Sequence, residues 1–202
     1  MDKKSLETQE SILIAARIIF AQKGLAGARM QEIADTAGIN KALLHYYYKS
    51  KEKLFEQIFE EALVKIMRPL STFLADDSEL FQKIRNICNI YHKVLFEYPF
   101  LPNFILNEVT TDPSRIFNIM TKEDVLEAKG KTLQQINKAV QSGKIRAIDP
   151  QELILNIISL SVFPFAARPM AEELLFKDVD MDEMLQTRAE RVADFVIQSI
   201  KI

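Results

Sequence analysis

Cysteine is nearly absent from this chain of 202 residues: Cys88 stands alone. No internal disulfide framework can form, and a reducing compartment is the expectation. Glycine, with five residues, and proline, with seven, are scarce, and no Asn-Gly or Asp-Gly pair occurs to turn a hairpin. The apolar residues recur at threes and fours rather than twos, which predicts an all-α chain. Long hydrophobic runs are missing too. The longest, Leu153 to Ala167, is interrupted by Asn156, Ser159, Ser161 and Pro164 and falls short of the ~20 residues that a membrane helix needs. The opening Met1-Asp2-Lys3-Lys4 leads into no signal-type apolar core. A cytoplasmic, soluble protein without a membrane partner is expected.

What is present is a globular composition, 48% hydrophobic and 27% charged, enough for one large domain or a small one joined to a larger. The formal net charge is only -2, but the charge is unevenly spread. Residues 1–53 hold nine Lys and Arg against six Asp and Glu, and the remainder holds 17 against 22. A basic head on an acidic body follows, with the boundary placed at 53/54.

The head reads as short helices. The first starts after Ser5 or Thr8, turns Ile12, Leu13, Ala16, Ile19 and Phe20 inward, and stops at Gly24. The second runs from about Arg29 to Ala37. Gly38 makes the turn, since glycine takes positive φ at little cost, and Asn40 caps a third helix from Lys41 to about Tyr47. Ser50 caps a fourth, which Pro69 is expected to close. In the body Ser78 is expected to cap a helix ended by Pro99, and a short helix covers about 103–110. Asp112-Pro113 and Asp149-Pro150 each read as N-cap followed by N1. The helix from the first pair breaks near Thr121 and ends at Gly143; the second opens a helix from Gln151 to about Phe165, and a last helix spans about 182–200. About nine helices result.

The stretch Ile33-Ala34-Asp35-Thr36-Ala37-Gly38-Ile39-Asn40-Lys41-Ala42-Leu43-Leu44-His45-Tyr46-Tyr47-Tyr48-Lys49-Ser50-Lys51-Glu52-Lys53-Leu54 carries the chemistry. Ala34 packs closely, Gly38 turns, and Ile39 and Leu44 reach back into a small core, leaving the polar side of the third helix free. This is helix-turn-helix logic with 41–47 as the recognition helix. An ordinary helical hairpin shares the Ala-x-x-x-Gly element, but not the aromatic run followed by Ser-Lys-Glu. On these residues, from about 8 to 54, the chain resembles the N-terminal domain of the tetracycline-repressor (TetR) family of bacterial transcription regulators. Beyond about residue 60 the resemblance extends only to helix order and length.

The resemblance implies a division of labour. Lys41 would lie near a phosphate or base edge, Tyr47 would give its hydroxyl to a phosphate, and Lys51 would hold another at the start of the fourth helix, where free N–H groups favour anions. Base reading would fall to Asn40, Lys41, Leu43, His45 and Tyr46. The family often has a Thr pair before its second helix; Ala28-Arg29 here loses the hydroxyl and gains a longer cationic reach, making Arg29 a further contact. Leu43 can touch a thymine methyl or pack on its tyrosine neighbours, and Tyr48, where Phe is usual, reads as core. The partners so implied are double-stranded, near-palindromic operator DNA, a second copy of the chain, and a small effector.

Enzyme signatures fail. Gly130-Lys131-Thr132 has the tail of a phosphate loop, yet Val125 stands where its first glycine belongs. Two histidines, His45 and His92, and one cysteine leave little for a metal or a nucleophilic triad; Cys88 and His92, four apart on one helix, make a weak two-ligand pair at most. No catalytic, metal or cofactor site is expected. In the body, Tyr91, Phe104, Phe117 and Phe163 are candidates to line a pocket for a lipophilic effector, with Asn107, Glu108, His92 or Arg168 as polar anchor. Residues 153–165 are apolar nearly all round and ask for a partner as cover. By the resemblance this helix and the last one pair with their mates in a homodimer, through Leu160, Leu185, Val192, Phe195 and Val196. The function expected is a sequence-specific regulator, a repressor released from DNA by its effector. A ligand-independent DNA-binding dimer that recruits a protein is the alternative, and from another class a helical lipid carrier or cofactor-free enzyme.

Overall fold

The computed structural model describes residues 3–75, 77–111, 113–114 and 123–202. Among these residues all regular structure is helical, in eleven helices. The chain divides into two compact units, Met1–Val64 and Lys65–Ile202.

The first unit contains α1 (Lys3–Gly27), α2 (Met30–Thr36), α3 (Lys41–Tyr47) and most of α4 (Lys51–Ala75). Gly24 adopts φ 63°, ψ -179° and breaks the helical course of α1, but a final turn carries it to Gly27 rather than stopping it. Ile12, Ala16 and Phe20 of α1 are fully buried with Ile33, Ala34, Leu44 and Leu54, and the Phe20 and Phe55 rings meet edge to face at 4.8 Å. Two ion pairs tie α1 to its neighbours. Arg17 forks onto Glu61 of α4 with both distances 2.7 Å, and Lys23 meets Glu32 of α2 at 2.8 Å.

Pro69 does not close α4, which runs on to Ala75. An interior proline removes one ladder bond, but the end beyond it is held from outside: Lys83 Nζ and Thr132 Oγ1 both donate to the Leu74 carbonyl, at 3.2 and 3.0 Å. Ser78 is not the cap of α5 (Leu80–Glu97); Glu79 is, its carboxylate accepting from Phe81 N at 2.9 Å and Gln82 N at 3.3 Å. The Ser78 carbonyl instead accepts from Gln135 Nε2 at 2.8 Å. α6 (Leu101–Thr111) and α7 (Glu123–Gln141) follow. The expected Asp112-Pro113 cap and the break near Thr121 fall on residues outside those described.

Asp149 caps α8 (Pro150–Ala166), accepting from Gln151 N and Glu152 N. The single last helix expected is in fact divided. α9 (Arg168–Leu174) precedes α10 (Met181–Gln186), and α11 (Arg188–Ile200) starts after Thr187, whose φ -96°, ψ 0° departs from the helix. α5, α8 and α11 pack on one another as the centre of this unit, with α6, α7 and α9 laid against α8. Ile84, Cys88 and Leu95 of α5 are buried there with Leu153, Ile157 and Phe165 of α8 and Val192, Ala193 and Val196 of α11. No single helix among the described residues is long and apolar enough to cross a membrane; α8 and α9 qualify only as a pair bent by 76°.

Candidate nucleic-acid interface

α2, the turn and α3 are fixed by local bonds. Glu32 stands in the first turn of α2, and its hydrogen bond with Lys23 holds its carboxyl below the usual carboxylate range. Arg29 is the N-cap of α2 but makes no side-chain cap bond, so its guanidinium is left exposed on the surface. Gly38 takes φ 68°, and Ile39 N donates to the Ala34 carbonyl at 3.0 Å to close the turn. Asn40 then caps α3, its Oδ1 accepting from Leu43 N at 2.7 Å.

α3 buries only Leu44, which is 0% exposed. Lys41, Ala42, Leu43, His45 and Tyr46 stand on the surface, Tyr46 at 75%, and Asn40 precedes them there. The Tyr46 ring leans edge-on against Tyr47 at 5.3 Å, while His45 Nδ1 lies 3.4 Å from the Lys49 carbonyl. Tyr47 is half-buried and donates its hydroxyl to Ser5 Oγ at 3.1 Å. Lys51 is half-buried beside the end of α1, with Nζ 3.4 Å from the Ala26 carbonyl. Tyr48 is core, 6% exposed, and burial pushes its hydroxyl pKa up. The structure thus gathers Asn40, Lys41, Leu43, His45 and Tyr46 on one short helix, with Tyr47 and Lys51 at its far end.

The body residues are less cohesive. Tyr91 and Phe104 are half-buried, and burial pushes the Tyr91 hydroxyl up to about 12. Phe163 is 56% exposed on the outer face of α8 and so walls no enclosed cavity in the protomer; Phe117 lies outside the described residues, as does the Glu108 side chain. Arg168 is no free anchor, because Glu172 and Asp182 hold it at 2.7 and 2.8 Å. Of the residues expected at a dimer surface, Leu185, Val192 and Val196 are at most 3% exposed. They fill the protomer's own core, so the apolar stripe that suggested them is satisfied within one chain. Leu160 is half-buried, and Phe195, 65% exposed, faces outward.

Two family models match the chain. That of the bacterial regulatory proteins, tetR family, covers residues 12–58, and that of the tetracyclin repressor-like C-terminal domain covers 82–196, more than half of the sequence. The chain belongs to the TetR family.

Its TetR relatives include the transcriptional regulator RutR of Escherichia coli K12, 27% identical over 193 residues, which cover 96% of this chain and 90% of that protein. YttP of Bacillus subtilis, described as a probable regulator of the same type, is also 27% identical, over 85% of this chain and 83% of its own. A TetR regulator from Chloroflexus aurantiacus has the same fold, with a TM-score of 0.64 at 20% identity and both chains fully covered. As a TetR protein the chain is a DNA-binding transcription regulator. In its head the structure adds one residue that sequence reading missed. Ser5 receives the Tyr47 hydroxyl from 42 positions away, and no local pattern marks such a pairing.

Proposed function

We propose that the chain is a homodimeric repressor whose two heads enter successive major grooves of a near-palindromic operator. Half-sites one helical turn apart, ~34–36 Å or a multiple, follow from this geometry. Residues 1–53 serve as the DNA-binding part and 54–202 as the effector-binding and dimerisation part. The observation that carries the reading is the economy of α3: one buried side chain, Leu44, holds a helix whose other residues are exposed or half-buried. Lys41, Arg29 and Lys51 supply phosphate charge, Tyr47 a hydroxyl, and Asn40, Leu43, His45 and Tyr46 face the base edges. The chain acts by binding and not by catalysis, in the cytoplasm and without a cofactor.

The dimer surface is assigned to the exposed apolar residues of α8 and α11. Leu155 (61% exposed) and Phe163 (56%) stand eight apart on α8, and Phe195 (65%) stands on α11; large apolar side chains left this exposed suit a partner's cover. A small effector, contacting Tyr91, Phe104 and Phe117, favours a body conformation from which α4 carries the heads out of register. A 100-fold loss of operator affinity needs only ~2.7 kcal/mol of differential binding.

Fluorescence anisotropy of labelled duplex from upstream of the protein's own gene, beside an unrelated duplex and at two salt concentrations, tests this. Selective binding that weakens with salt and falls in Lys41→Ala is expected. Failure to bind any DNA, even at low salt, refutes it and leaves the carrier or enzyme reading.

A further inference from the structure

The junction of α5, α8 and α11 holds an arginine without an acidic partner. Elsewhere in this unit Arg85 of α5 meets Asp194 of α11 at 2.7 Å, and Arg168 holds Glu172 and Asp182. Arg188, the first residue of α11, pairs with no carboxylate among the described residues. Its Nε is buried with no hydrogen-bond partner, and burial together with the nearby Arg191 lowers its pKa from the usual arginine value. A half-buried cation in this state pays desolvation with no counter-charge in return.

A second, independent observation lies at the same place. Ser161 of α8 is 6% exposed, and its Oγ finds no hydrogen-bond partner. Arg188 and Ser161, with Cys88, His92 and Phe165, line one notch of about 10 Å³. That volume holds about one water-sized sphere. His92 fixes one wall, its Nε2 donating to the Leu185 carbonyl at 2.7 Å while its ring lies 4.7 Å from Phe96. Phe96 in turn meets Phe165 edge-on at 5.6 Å, so an aromatic surface adjoins the polar notch.

We propose that this notch seats one oxygen of a carboxylate, the head of the effector, with Arg188 as its counter-charge and Ser161 as a hydroxyl donor. The proposal rests on the effector reading given above and names the ligand's class. One guanidinium, one hydroxyl and room for a single oxygen suit a monoanion, and a phosphate dianion would need more donors than the notch offers. The apolar remainder of the ligand lies outside the notch, against the half-buried Phe96.

The test is thermal unfolding and calorimetric titration of the full chain with acetate, butyrate, octanoate and benzoate. Each is paired with its amide, with sodium chloride holding ionic strength constant. At least one carboxylate raises Tm where its amide does not. Its Kd weakens about tenfold or more in Arg188→Gln and to a smaller degree in Ser161→Ala, and Arg191→Gln leaves it unchanged. Carboxylates that do no better than their amides, or an Arg188→Gln variant that binds as wild type does, overturn the seat. Dissociation of Arg188→Gln into monomers on sedimentation also overturns it, by giving that guanidinium to an acidic side chain of a second copy. Operator affinity without any carboxylate, measured on the same samples, is the separate test of the DNA-binding reading. Carboxylate binding that leaves operator affinity unchanged overturns the ligand's role as effector.

Discussion

The Tyr47 hydroxyl is expected to act on DNA through Ser5. Tyr47 spends its proton on Ser5 Oγ, 3.1 Å away, and Ser5 keeps a proton of its own to give to a phosphate oxygen. The two hydroxyls then form one short chain from the end of α3 to the first turns of α1. A neutral hydrogen bond of this kind is worth about 0.5–1.5 kcal/mol net, so losing it lowers operator affinity by roughly 2- to 12-fold. Ser5→Ala and Tyr47→Phe should each show a loss in that range. Because both cut the same chain, Ser5→Ala combined with Tyr47→Phe should lose little more than the worse single variant. Neither variant changes a charge, so the slope of log affinity against log salt stays as in wild type, whereas Lys41→Ala lowers it by about 0.9. Anisotropy titrations of wild type and the four variants at three or more salt concentrations give both quantities. Strictly additive losses, or a Ser5→Ala protein that binds as wild type does, would refute the relay and return Tyr47 to a direct contact.

The Asn40 cap should be separable from any base contact. Asn40→Ala costs the head about 0.5–2 kcal/mol by losing the bond to Leu43 N, and Asn40→Ser recovers most of it, both read by denaturant unfolding. Tyr91 gives an alkaline signature. With its folded pKa raised to about 12 above the unfolded value near 10, its contribution is fully present below pH ~10 and lost as pH rises towards 12. Tyr91→Phe should therefore lose less stability than wild type across that window in a pH series of unfolding curves. On α11, Phe195→Asp should yield a folded monomer in sedimentation. Val192→Asp, three residues before it, should unfold the body, because Val192 is 3% exposed and its replacement buries an unpaired charge. A folded Val192→Asp monomer would mean that the face of α11 has been read the wrong way round.

Several features decided within a few residues were legible in the sequence, though the cap expected at Ser78 fell to its neighbour Glu79. The Gly38 turn and the Asn40 and Asp149 caps depend on neighbours two to five positions away, and they stand where the residue types placed them. Features decided by distant chain were not. Pro69 reads as a stop, but donors from Lys83 and Thr132 hold the helix end beyond it. Arg168 reads as a free anchor until Asp182 arrives from fourteen residues on. Periodicity along α11 shows that a stripe is apolar, not whether the protomer's own α5 or a second copy covers it. Leu185, Val192 and Val196 went to the protomer's core, and Phe195 was left outside.

The same distinction bears on how an operator is chosen. Since α3 buries Leu44 and little else, its position is set by its ends, by the Asn40 cap before it and by buried Tyr48 after it. The outward residues between those ends carry almost no folding load, and surface substitutions of that kind usually stay within about 0.5 kcal/mol. Leu43 and His45, where TetR proteins more often have Thr and Tyr, are therefore changes that the fold tolerates, and under the proposed function they are where a change of operator is expected to register. Ala34, Gly38 and Leu44 admit no such freedom, because each is fixed by a close contact, a positive φ or a filled core. The sequence thus separates into positions that make the head a head and positions that make it this head, and what divides them is whether a filled core, a cap or a positive φ fixes the residue; Gly38 is exposed and still fixed.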